Sequence, residues 1–147
     1  LPPDWLRLMA DYAAIRDGLK TVLGGITNVK VAYDTVPDRV IVPSMTIQPG
    51  QPVVEYNQSM DGAAGNLQLF RINVIALAGR FEPGAGQDIL DGFISGSDSV
   101  QAAVAADPTL GGAALTSQVT NCNNYGNITV ADSIYYGCTF TMEVYAR

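Results

Sequence analysis

The sequence contains no histidine. That removes the one side chain whose ordinary titration falls near neutrality, the commonest general base and the commonest metal ligand. A Ser–His pairing is excluded with it, and no serine sits in a Gly-x-Ser-x-Gly setting. Cysteine is nearly as scarce. Cys122 and Cys138 are too few for a disulfide framework or a cysteine zinc site. Charged residues make up 15%, and 8 Lys and Arg stand against 14 Asp and Glu, for a net charge of −6. This balance argues against a DNA-gripping surface, which needs clustered cations on the phosphates. It leaves open a surface that DNA slides past, since like charge prevents sticking. No apolar run approaches the roughly 20 residues that span a bilayer. The opening Leu1-Pro2-Pro3-Asp4-Trp5-Leu6-Arg7-Leu8 lacks the basic and apolar regions of a signal peptide. The expected compartment is a cytoplasm, or a particle assembled in one.

What is present is ample core material: 48% apolar residues in a 147-residue chain, the size of one domain. The expected organisation is an N-terminal arm over 1–8 and one domain over 9–147. Met9 stands as a candidate initiator, which would make the arm an upstream extension. The clearest periodicity closes the chain. Ile134, Tyr136, Cys138, Phe140, Met142, Val144 and Ala146 alternate with mostly polar or small residues. Alternate side chains of a strand share a face, so this long strand is expected inside a sheet, its even face under helices and Cys138 in the core.

Further elements follow from spacing. Tyr12, Ile15, Leu19 and Val22 form one stripe of a helix over 10–23, ended by Gly24-Gly25. Gly18 within it costs about 1 kcal/mol against alanine and marks a close approach to another element. Short strands are expected over 29–33, 40–48 and 53–58. Pro43 puts the second at an edge or a bulge, and Pro49-Gly50 reads as a turn. A long strand over 66–78 has a greasy face (Phe70, Ile72, Val74, Ala76) and a mixed one (Leu69, Arg71, Asn73, Ile75). Helices are expected over 86–95 and over 99–106, the latter capped by Ser97 or Asp98. A polar strand over 115–124 and a short segment over 128–130, between turns at Tyr125-Gly126-Asn127 and Ala131-Asp132-Ser133, precede the final strand. The predicted class is α+β: a mainly antiparallel sheet with one long N-terminal helix and two short helices packed on it.

Chemistry-bearing patterns are thin. Leu23-Gly24-Gly25 and Gly84-Ala85-Gly86 lack the Lys-Ser/Thr of a phosphate loop. Gly84–Gln87 runs into a helix N-terminus, a place that holds anions, although simple turn chemistry explains it. Asp88 and Asp91 share a helix face with no third ligand in register and read as solvated. Asp34 and Asp38 flank a loop whose oxygens suit a cation, giving a small-ligand or cation-binding module as the reading from another class. No catalytic residue, metal ligand or cofactor site emerges, and a non-enzymatic role is expected.

The stretch Gln87–Gly112 carries a further signal. A helix ending in Ser95-Gly96 is followed by Ser99-Val100-x-Ala102-Ala103 and then Asp107-Pro108-Thr109-Leu110-Gly111-Gly112. With Met9–Leu19 and the closing Tyr136-Gly137-Cys138-Thr139-Phe140-Thr141-Met142-Glu143-Val144, this resembles tail terminator and neck proteins of long-tailed, siphovirus-like bacteriophages. The resemblance spans most of 9–147 and leaves out the arm. It implies a small subunit of a hexameric ring that caps the tail tube and joins it to the head-completion (connector) proteins, in a virion assembled in a bacterial cytoplasm. DNA passes through the pore without specific binding, no membrane takes part, and no active-site residue carries over. A head–tail joining protein and a tail tube subunit are the alternatives. A ring needs two different patches per subunit. The candidates are the arm (Trp5, Leu6), the loop over 51–66 (Gln51, Glu55, Asn57, Asp61), Arg71 and Arg80 on and beyond the mixed strand, and the polar strand over 115–124. Arginine is favoured at interfaces for its fixed fork of donors.

Overall fold

The structure is a computed structural model and describes residues 11–35, 37–56, 58, 67–80, 86–130 and 132–147. The N-terminal arm and most of the 57–66 loop lie outside the described residues.

The chain runs α1 (Tyr12–Gly24), β1 (Val31–Tyr33), β2 (Ser44–Glu55), β3 (Gln68–Arg80), α2 (Gln87–Ile94), α3 (Val100–Ala106), β4 (Thr116–Val130) and β5 (Ser133–Ala146). The strands form one sheet in the order β1-β2-β3-β5-β4. Two features of the expected class are corrected here. The first helix has only 13 residues. The sheet is mixed, because β1 pairs parallel to β2 while the other neighbours are antiparallel. Among the described residues the molecule is dominated by its sheet, at 47% strand against 23% helix. The physical reason is that turn signals inside β2 and β4 are absorbed as bulges, so segments that read as separate short strands are continuous.

β2 shows this first. It carries Pro49, Gly50 and Pro52 and still holds register on both sides, Pro49 opposite Ile72 and Val54 opposite Phe70. The excess residues form a bulge, with the Gln51–Pro52 peptide cis. Gly50 crosses the Arg71 backbone so closely that a Cβ there would lie 2.9 Å from the Arg71 carbonyl oxygen. Nor is β2 an edge: it lies between β1 and β3, and Pro43 stands just before it. β4 repeats the lesson. Tyr125-Gly126 reads as a turn, but Asn124 and Gly126 take positive φ (59° and 148°) and the ladder shifts register between Asn123 and Gly126. The result is a 15-residue edge strand.

β5 lies inside the sheet, between β3 and β4, as its alternation predicts. Cys138, Phe140, Met142 and Val144 join Phe70, Ile72, Val74 and Ala76 of β3 and Met45 and Ile47 of β2 in one core. The helices cover this face with Ile15, Leu19 and Leu23 of α1, Leu90 and Phe93 of α2, and Val100 and Val104 of α3. Toward the β4–β5 turn the cover ends, and Ile134 is 47% exposed.

Caps fix the helices. Asp11 is the N-cap of α1 and accepts from the Ala13 and Ala14 amides. Ser99, not Ser97 or Asp98, caps α3, accepting from the Ala102 amide at 3.1 Å. Asp98 instead accepts from the Thr27 hydroxyl at 3.1 Å. Gly18 does mark a close approach, since a Cβ there would collide with the Leu110 carbonyl oxygen.

Candidate subunit interface

Register determines what the other face of the sheet presents. Gln48, Asn73, Thr141 and Asn121 stand in one row across β2, β3, β5 and β4, and Thr46, Ile75, Thr139 and Asn123 form the next. All belong to the face opposite the core, where no helix packs among the described residues. Asn123 donates its amide to Asn121 Oδ1 at 2.6 Å, so neighbouring amides of the edge strand are already linked. The result is a neutral surface of amides and hydroxyls around one aliphatic side chain, Ile75.

The two ends of this face differ. At one end Arg71 stands opposite Glu143, which in turn faces Gln118. Arg71 Nη1 lies 2.9 Å from Glu55 Oε2, both side chains being partly exposed. At the other end a small second cluster forms. A Cβ added to Gly137 would meet Ile128 Cδ1 at 2.8 Å and Leu77 Cδ2 at 2.9 Å, so both side chains converge there. Tyr135 and Ser44 are buried alongside in register, and the Ser44 hydroxyl finds no hydrogen-bond partner among the described residues. Between the ends, beside the second bulge of β4, a shallow depression of about 450 Å³ is lined by Ile75, Asn124, Ile128 and Thr139.

β4 itself is the outer edge. No Asp, Glu, Lys or Arg occurs from Pro108 through Ala131, and β4 contains no proline. Edge strands are ordinarily defended by charge, proline or bulges. Here two bulges are the only such device within β4. On the helix side, Tyr125 leaves the second bulge and donates its hydroxyl to Asp91 Oδ1 at 2.8 Å. That bond, with a smaller effect of burial, holds the Tyr125 phenol above its ordinary value.

The sequence-predicted interface residues fall into three groups. Glu55 and Arg71 come together as an ion pair at one end of the open face, and Gln51 lies exposed in the bulge of β2. Arg80 lies at the opposite end of β3, nine positions and roughly 30 Å from Arg71 along the strand. It therefore belongs to no common patch with Arg71. Trp5, Leu6, Asn57 and Asp61 lie outside the described residues. Sequence reasoning missed the Gln48–Asn73–Thr141–Asn121 row. Its β3 and β5 members were visible as alternation, but the register that aligns four strands leaves no mark in the sequence.

Other sites offer little chemistry. A groove of about 830 Å³ runs between α1 and the 107–115 turn, lined by Ala14, Gly18, Leu110 and Leu115 with the carboxylates of Asp11, Asp17 and Asp107. Asp107 is already engaged, accepting from the Thr109 hydroxyl and the Gly111 amide. Among the described residues no three His, Cys, Asp or Glu side chains gather as a metal site, and no helix is long and apolar enough to cross a membrane. Asp88 and Asp91 lie on the exposed side of α2. No known protein family matches the chain, and no curated protein matches its sequence.

Proposed function

We propose that this chain is a structural virion subunit without a catalytic step, a tail terminator of a long-tailed bacteriophage. Copies of it would form a closed, six-membered ring at the head-proximal end of the tail tube. The reading starts from the resemblance in Gln87–Gly112 and the closing strand. The observation that carries it furthest is the open sheet face: among the described residues, two neutral rows of mostly amides and hydroxyls cross four strands without helical cover, continuous with a long uncharged edge strand. Such a surface satisfies protein partners by many shared hydrogen bonds and suits a subunit that works by fitting against others. The tube protein and the head-completion protein are the other partners of this reading. The acidic balance lets DNA pass without retention.

The test is position in a particle. Gold-labelled antibody to this chain, applied to assembled tailed particles, is expected at the junction between head and tail. Labelling along the whole tail would make it a tube subunit, and absence from the particle would remove the reading.

A further inference from the structure

The groove between α1 and the 107–115 turn has one wall that is fixed in place. The Leu115 amide donates to the Tyr145 carbonyl at 2.8 Å, the Ala114 amide to the Thr109 carbonyl at 3.0 Å, and the Ser117 hydroxyl to the Pro108 carbonyl at 2.7 Å. These bonds hold Leu115 with 51% of its surface exposed, beside the half-buried Ala113 and Ala114. Apolar surface on a rigid frame gains from being covered and needs no ordering of its own. The opposite wall is one flank of α1. Asp11, Ala14, Gly18 and Thr21 recur there at three- and four-residue steps, a run of about 15 Å along the helix axis. Asp17 also lines this wall; it is exposed, and its carboxylate makes no hydrogen bond or ion pair among the described residues.

The sequence before Asp11 matches this groove in place, length and character. Residues 1–10 lie outside the described residues and join the chain at Asp11, itself at the groove. Residues 4–8 span roughly 16 Å when extended, the length of the α1 wall, which leaves Met9 and Ala10 for a reversal. They bring Trp5, Leu6 and Leu8 to an apolar wall, and Arg7 to a wall with an unpaired carboxylate. A segment tethered this closely also competes at high effective concentration. We propose that the groove is a docking site for the protein's own N-terminal arm. Residues 4–8 run back along α1, Trp5, Leu6 and Leu8 cover Leu115 and the two alanines, and Arg7 pairs with Asp17. The apolar cover supplies most of the affinity, because a partly exposed ion pair adds little. The arm thereby straps α1 to the 107–115 turn, and Trp5 and Leu6 leave the set of subunit contacts. The inference needs one copy only and does not rest on the function proposed above.

Trp5 is the sole tryptophan, so its fluorescence reports on the arm alone. In the full, folded chain its emission is expected at shorter wavelength than in the unfolded chain, with several-fold weaker quenching by acrylamide. Ala14→Arg keeps helix propensity and puts bulk and a cation in the groove. It should return both readings to the unfolded values while circular dichroism stays unchanged; Ala13→Arg, on the exposed side of α1, should alter neither. Trp5 as accessible in the folded chain as in the unfolded one, or equally shielded in the Ala14→Arg chain, would overturn the proposal. A second measurement does not depend on that variant folding. Arg7→Lys chains, isotope-labelled and unlabelled, are refolded together and coupled with a carbodiimide, which joins an amine to a touching carboxylate. The expected link runs from the introduced lysine to Asp17 within peptides of uniform label. Links between labelled and unlabelled peptides would assign the groove to a neighbouring copy's arm, and these, or the absence of any link to the groove, would equally overturn it.

Discussion

At Gly18 a single hydrogen atom decides how α1 sits on the rest of the molecule. The Leu110 carbonyl occupies the space a methyl group would need, and Leu110 is itself held at φ 52° in the turn after α3. Gly18→Ala gains about 1 kcal/mol of helix propensity and incurs an overpacking cost of about 1–3 kcal/mol. Because the obstacle is backbone, the cost prevails, and denaturant unfolding should show a less stable chain. Ser44 makes the opposite case. Its hydroxyl is fully buried without a partner among the described residues, so Ser44→Ala removes an unsatisfied group and is expected to stabilise by about 1 kcal/mol. A loss of stability in the same measurement would mean that the hydroxyl is bonded.

At the scale of elements, the Tyr125–Asp91 bond is what ties the bulged edge strand to α2. The phenol is raised above its ordinary value near 10, chiefly by this bond. A group whose folded value is raised contributes stability that is complete below the unfolded value and lost as pH rises through the folded one. The link should therefore hold through neutrality and fail only in strong alkali. Tyrosine absorbance under alkaline titration should show Tyr125 ionising late, and Asp91→Asn should bring it earlier; an unchanged titration would contradict the assignment. Tyr12 also titrates late, by burial, so Tyr125→Phe identifies which component is which. The elements also show what was legible. β5, β3 and the three helices follow from apolar spacing, because period two and period 3.6 are written directly in residue type. In the sequence β2 and β4 read as broken, because Pro49-Gly50 and Tyr125-Gly126 carry turn chemistry. Whether such residues turn the chain or bulge it depends on a neighbouring strand, and local sequence does not record that neighbour. The parallel pairing of the three-residue β1 is equally unwritten. Of the candidate interface, the alternation in β3 and β5 was legible and the four-strand row was not.

At the scale of the whole molecule, the sheet is asymmetric among the described residues: one face is covered by three helices, and the other carries no helix and is neutral along its middle rows, in a chain of net charge −6. Copies of an acidic chain repel one another at a distance, so association is expected where charge is absent or paired. The open face and β4 meet that condition, with Arg71 the cation among the acids at one end. Arg71→Glu would place like charge beside Glu55 and Glu143. As the lost ion pair is partly exposed, the fold should weaken by no more than about 1 kcal/mol. Assembly should weaken at least about tenfold in dissociation constant, or about 1.4 kcal/mol. Circular dichroism reads the first effect and sedimentation equilibrium the second; equal association by the variant would take Arg71 out of the interface. The central claim is that the chain functions by closing on copies of itself, and sedimentation velocity of the purified chain over a wide concentration range, paired with negative-stain images, tests it most directly. The account predicts one closed species of six copies with a central hole, and a chain that remains a single copy at every concentration would contradict it.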